Sequence, residues 1–431
     1  MVKVFHEIRD PIHTFVRLDS EERKVLNSRP FQRLRYIHQL GMTYLVYPAA
    51  THKRFEHTLG VMELATRVFD VVTDSRNVGP GVEEWLPELK KKDDLMYWRR
   101  VLRMAALCHD LGHLPFSHVA EHYLLPQGWD HERLSAEIIR SEELQDIWNA
   151  MTPPLRCEDI VKIVLGPRKY EKPLTPWETI LSEIITGDAF GVDRIDYLLR
   201  DSHHLGVAYG RFDHHRLIDT MRILSVPEQE GRPALGVEEG GLHSAEALLL
   251  ARYFMYRQVY MHPVRRIYDI HLRDFLAGWL RQLGHVDGKF PTDLAKFLQL
   301  IDDQVITELH KAAFEQGLPY HDPARRIVRR DHYKLFYQQH PDDIQANPDA
   351  CQIIFQAALQ KYGEANVRRD QYVQKREPII FPVLSGDNIL DATKISEVLQ
   401  HLPIVNIDYL FVRPDLVNEA IRWANQERKT L

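Results

Sequence analysis

Apolar residues that recur every three to four positions predict a mainly helical chain. The clearest run is Asp94 to Leu107, where Leu95, Met96, Trp98, Val101, Leu102 and Ala105 form one face, and Gly112 and Pro115 end the helix. A second amphipathic helix opens near Thr51 and runs to about Thr73. A third contains Asp193, Asp196, Tyr197, Arg200 and Asp201 at i, i+3, i+4, i+7 and i+8, one polar stripe opposite Val192, Ile195 and Leu199. Asp19-Ser20 before Glu21-Glu22 reads as a helix cap with an acidic first turn. Helices are further expected at 20–27, 30–40, 116–125, 130–141, 156–164, 177–186 and 243–262, the last stopping near Pro263. Beyond Pro291 they are expected at 292–316, 322–337, 349–361 and 414–427.

Alternation is rarer. Residues 1–18 read as an extended, hairpin-like lead-in, 43–50 as β-rich, and 222–226 with 234–238 as a hairpin. Strands are expected at 379–384 and 409–412, with polar connections at 75–93 and 366–378. The fold class is therefore mainly α: a helical core over 1–290 and a smaller α+β region over 291–431.

Composition narrows the function classes. A hydrophobic share of 44% with 27% charged residues is that of an ordinary globular protein. The net charge of −6 supplies no global field for nucleic acid or an anionic membrane, so a polyanionic ligand must be held by local cations. Three cysteines (Cys108, Cys157, Cys351) without paired spacing fit a reducing, cytoplasmic location, and no apolar run reaches the length of a membrane span.

Candidate chemistry centres on Cys108-His109-Asp110-Leu111-Gly112-His113-Leu114-Pro115-Phe116-Ser117-His118. Four ionisable residues (His109, Asp110, His113 and His118) in ten positions beside an apolar helix end are unfavourable to bury without a purpose. Imidazole with carboxylate suits a divalent transition metal, and two ligands do not close a site. Partners are available in Arg54-Phe55-Glu56-His57 upstream and in Asp193-Arg194-Ile195-Asp196-Tyr197 downstream.

The order His…His-Asp…Asp resembles the metal signature of the HD phosphohydrolase superfamily. Phe31-Gln32-Arg33-Leu34-Arg35-Tyr36-Ile37-His38-Gln39-Leu40-Gly41, the Arg54–His57 motif and Arg200-Asp201-Ser202 are similar to its deoxynucleoside triphosphate triphosphohydrolases, both animal members with a sterile-alpha-motif domain and bacterial ones. The likeness covers about residues 1 to 290 well. It implies His57, His109, Asp110 and Asp193 as ligands of one Fe, Mn, Ni, Co or Zn ion, with Mg²⁺ arriving on the substrate triphosphate. It implies a catalytic His118–Glu121 dyad, with His113 and His131 as further candidates for phosphate contact or proton handling. Arg54, Arg194, Tyr197 and Arg252 match triphosphate-holding positions. Gln39 and Asp201 match residues that bond the 3′-hydroxyl, while Leu40 and Tyr260 crowd the 2′-carbon.

The same likeness implies a homotetramer and a nucleotide activator site at Gln32, Arg35, Arg330 and Lys334. Asn27 stands there in place of a guanine-reading carboxylate, and Val237-Glu238-Glu239-Gly240 lacks the basic residues of a neighbouring activator site. The expected activity is hydrolysis of dNTPs to deoxynucleoside and inorganic triphosphate. A nucleoside-monophosphate phosphatase or phosphodiesterase, or a catalytically idle nucleotide sensor, are the alternatives on the same scaffold.

Overall fold

Asp10 accepts the backbone N–H groups of Ile12 and His13 at 2.8 Å each and turns the chain back on itself. Phe5–Asp10 (β1) therefore pairs antiparallel with Thr14–Asp19 (β2). The computed structural model describes residues 5–119, 121–226, 230–374 and 379–430, without the side chains of His118, His122 and Thr430.

The centre is helical. The Arg54–Val72 helix starts where the Glu56 carboxylate reaches back 2.8 Å to the Lys53 N–H, and most of its residues are buried. It packs between the Lys92–Cys108 and Val192–Leu205 helices. The Lys92–Cys108 helix enters the core only over its last half, Val101 to Cys108, so its C-terminal end lies deep in the molecule. Burial on that face is what holds the three helices together, at about 25 cal/mol per Å² of apolar surface.

Two small sheets flank this core. Met221–Val226 (β3) and Arg232–Glu238 (β4) form a hairpin, extended by Pro382–Ser385 (β7) and Asn388–Asp391 (β8) in the order β3-β4-β7-β8. Lys334–Gln338 (β5) and Val367–Val373 (β6) both pair antiparallel with Asn406–Val412 (β9). The main hydrophobic cluster runs from Val16 to Ala392 and includes Phe297, Leu309 and Ile327, while two smaller clusters form around β5, β6 and β9.

Several local expectations are corrected. Residues 43–50 are not strand: Gly41–Leu45 is a 3-10 turn entered through Gly41 at φ +55, with Thr43 Oγ1 donating to Leu40 O. The Leu242–Met255 helix and its π-helical turn, Tyr256–Tyr260, stop before Pro263 as expected, but Pro263 then opens an unexpected helix, Pro263–Gln282, where proline's missing N–H is harmless and His262 caps the start. The helix expected over 292–316 breaks into Leu294–Phe297 and Asp302–Ala312, and that over 322–337 ends at Val328 before β5. The charged stretch 366–378 contains β6, whose Arg369 is tied to Asp408 on β9 at 2.6 and 2.8 Å and whose Asp370 is tied to Arg266. One ion pair across the sheet and one to the Pro263–Gln282 helix, rather than alternation, tie down that edge strand. Glu142–Asn149 is a helix the pattern missed.

Candidate metal centre

His109 ends the Lys92–Cys108 helix, and its Nδ1–H donates to Ala106 O at 2.8 Å. The lone pair is therefore on Nε2, which is buried and makes no hydrogen bond, although Asp110 Oδ1 and Asp193 Oδ1 lie 3.3 and 3.4 Å away. His57, near the start of its helix, brings Nε2 to 3.0 Å from Asp193 Oδ1 and 3.7 Å from Asp110 Oδ2. Ligand atoms of His57, His109 and Asp110 all fall within 4.8 Å of one another, and Asp193 adjoins the trio through both imidazoles. Two imidazoles and two carboxylates around an orphaned buried nitrogen fit a divalent transition metal.

The electrostatics agree. Burial opposes charge on His57, yet its hydrogen bonds to Asp193 and Asp196 override this and raise it to about 10. For Asp110, burial is outweighed by the Arg54 guanidinium and then by His109 and His113, which hold its carboxyl well below the usual range. The cluster thus holds a proton by concentrated negative charge, and a bound cation would displace it.

Arg54 bonds Asp110 and donates from Nε to Ser117 Oγ at 2.8 Å. Phe116 and Ser117 both adopt left-handed backbone, φ 60 and 62, a conformation that costs strain and needs outside support. Asp302 gives that support: Oδ1 accepts the Phe116 N–H at 2.7 Å, and Oδ2 accepts the His38 N–H at 2.7 Å and its ring Nδ1 at 2.6 Å. The adjacent Gln39 donates its N–H to His52 O, while its Oε1 is buried without a hydrogen-bond partner. Leu40 follows it, 8% exposed.

A second trio, Asp110, His113 and His131, shares Asp110 with the first. His113 Nε2 lies 3.2 Å from Asp110 Oδ1, and its ring stacks on His131 at 4.1 Å. Glu121, expected to orient His118, has a carboxylate that accepts from His131 Nδ1 at 2.5 Å and from the His131 N–H at 2.9 Å. The His118 side chain lies outside the described residues.

Two turns beyond Asp193, the Asp201 carboxylate accepts from His52 Nε2 at 2.8 Å and from the Tyr260 hydroxyl at 2.7 Å. Tyr260 ends a five-residue π-helical turn, Tyr256–Tyr260, and its ring meets Tyr197 edge-on at 6.1 Å. Arg252 sits over the Tyr256 ring at 5.6 Å, and Arg194 is turned onto the Gly187 and Asp188 carbonyls. Gln32 and Arg35 bond each other at 2.9 Å, with the Arg35 guanidinium 3.5 Å over Phe55. Arg330 donates to Leu45 O, and Lys334 lies 3.2 Å from His332.

The sequence assigned no role to Asp302, His52 or His13, and placed Asp196 and Arg200 only in a stripe. That stripe is buried at Asp196, Arg200 and Asp201, so periodicity alone could not separate it from a solvated face. No helix among the described residues is long and apolar enough to cross a membrane.

Residues 54–201, which contain the first trio, match the HD domain, and residues 212–373 match the HD associated region. The uncharacterized protein YwfO of Bacillus subtilis is 36% identical over 86% of this chain and 78% of its own length. The human deoxynucleoside triphosphate triphosphohydrolase SAMHD1 is 32% identical over 93% of this chain. This chain spans only 55–62% of the length of the animal SAMHD1 proteins it matches. A crystal structure of a hypothetical protein from Aquifex aeolicus superposes with a TM-score of 0.76 at 33% identity, covering 97% of this chain and 99% of that one. The chain belongs to the HD-domain phosphohydrolase family, with an HD domain followed by its associated region.

Proposed function

We propose that this protein hydrolyses deoxynucleoside triphosphates to deoxynucleoside and inorganic triphosphate, water attacking the α-phosphorus. The observation that carries the reading is the Asp201–Tyr260 hydrogen bond: Asp201 is buried on the same helix as Asp193 and about 12 Å along it, a distance that suits a nucleoside whose α-phosphate lies at the metal trio. The kinship with a triphosphohydrolase supports it.

His57, His109, Asp110 and Asp193 would hold the transition metal, which supplies Lewis acidity toward the α-phosphate. Arg54 faces that position already desolvated, where a guanidinium acts strongly on a phosphate oxygen. Arg194 and Arg252 would neutralise the outer phosphates together with Mg²⁺. The departing 5′-oxygen needs a proton. His131, oriented by Glu121, and His118 on the preceding turn are the donors in this reading. Gln39 Oε1 would accept from the 3′-hydroxyl.

The same reading makes the protein a cytoplasmic homotetramer whose region 291–431 serves assembly and regulation, with the activator site at Gln32, Arg35, Arg330 and Lys334. Asn27 there lacks the charge that would favour guanine. Incubating the metal-loaded protein with each of the four dNTPs and with ATP and GTP tests the function. Triphosphate from dNTPs only is expected, and monophosphate or ribonucleoside products would overturn it.

A further inference from the structure

We infer that Asp196, clamped by His13 and Arg200, is a positioning residue that fixes the His57 imidazole for metal binding, making the N-terminal hairpin part of the metal site. The inference rests on His57 being a metal ligand and is independent of which substrate is hydrolysed.

The Asp196 carboxylate is fully saturated. Oδ1 accepts from His13 Nε2 at 2.7 Å and Arg200 Nη2 at 2.9 Å; Oδ2 accepts from His57 Nδ1 and Arg200 Nε, each at 2.8 Å. Arg200 Nη1 reaches on to Asp10 Oδ2 at 2.9 Å, and Asp10 holds the β1–β2 turn that carries His13. The side chains of His13, Asp196 and Arg200 are fully buried. With Nδ1 committed to Asp196, His57 has one tautomer in which Nε2 presents a lone pair, and Nε2 is the atom facing Asp110 and Asp193. Gly60, one turn after His57, lets the carboxylate approach: a Cβ there would collide with Asp196 Oδ1 and lie 2.5 Å from Arg200 Nη2.

A purely structural cluster has little reason to take this form. A buried guanidinium between two carboxylates is often no more stable than apolar residues of the same size, so stability alone does not account for it. What the cluster does specify is the angle of one ring. Partners of this kind typically change metal affinity by about 10–100-fold when removed.

The test is Co²⁺ titration of the metal-stripped full-length chain against a chelator, with the visible absorption of bound Co²⁺ and the thermal midpoint recorded for each variant. Asp196→Asn and His13→Leu should weaken Co²⁺ by about 10-fold or more and alter its absorption bands. His13→Gln, which retains an N–H donor, should recover much of the loss. Ile138→Val, a fully buried control outside the network, should lower the midpoint and leave affinity alone. If Asp196→Asn does not fold, the two His13 variants decide. Variants that bind Co²⁺ within about twofold of wild type, whatever their midpoints, would overturn the positioning role. A wild type that binds no Co²⁺ would instead remove the metal reading beneath it.

Discussion

Asp302 lies 264 residues after His38, yet its Oδ2 accepts both the backbone N–H and the ring Nδ1 of His38, at 2.7 and 2.6 Å. The same fully buried carboxylate holds Phe116 in its left-handed turn. Asp302→Ala strands three buried donors, so stability should fall by about 3 kcal/mol, read from denaturant unfolding. Because Gln39 follows His38, the surviving folded enzyme should show a raised KM for dNTPs. An unchanged denaturation midpoint would show that water replaces the carboxylate without cost.

The trio of His57, His109 and Asp110 was legible through the resemblance to the HD superfamily, whose motifs fall at recognisable helix positions: His109-Asp110 at an end, His57 in a first turn. The three central helices were legible in their apolar periodicity. What supports them was not. Asp302 pairs with His38 across most of the chain, and no local pattern predicts a partner at that separation. Pro263 marked the end of the preceding helical path, but the same residue also opens the Pro263–Gln282 helix, which a stop signal alone does not announce. Strand β6 hid because its edge position is stabilised by Arg369 with Asp408 and Asp370 with Arg266, which in sequence look like a charged loop.

Asp110→Ala removes the one residue shared by both trios. It should lose bound transition metal and activity together, measured by elemental analysis and turnover. His131→Ala leaves the first trio intact and should keep the metal while losing about 10²-fold in turnover. Stoichiometric metal loss in His131→Ala would mean the two trios are not separable.

Tyr260 donates to Asp201, so its ring is held in place while its hydroxyl is unavailable to a ribose. An added 2′-hydroxyl would meet a wall and no partner, a discrimination of roughly 10²-fold or more. Tyr260→Ala should narrow the ratio of dATP to ATP turnover, and Tyr260→Phe should narrow it less. An unchanged ratio in both would place Tyr260 in packing alone.

His271 is buried, and its Nε2 accepts the Tyr333 N–H at 3.3 Å, which a protonated ring could not do. Burial first, then Arg326 and Arg368, lowers its pKa to about 3. The unfolded chain takes up that proton near pH 6.5, so this contribution to stability is complete above pH 6.5 and is lost as pH falls toward 3. The thermal midpoint should drop over that interval, and His271→Leu should flatten the drop. A His271→Leu profile that parallels wild type would assign the acid sensitivity elsewhere.

Attack of water at the α-phosphorus is the central claim, and hydrolysis in ¹⁸O-labelled water reads it directly. With dATP or dGTP and a divalent metal, mass spectrometry should find one ¹⁸O in the inorganic triphosphate and none in the 5′-hydroxyl of the deoxynucleoside. Label in the deoxynucleoside, or pyrophosphate or phosphate in place of triphosphate, would contradict it.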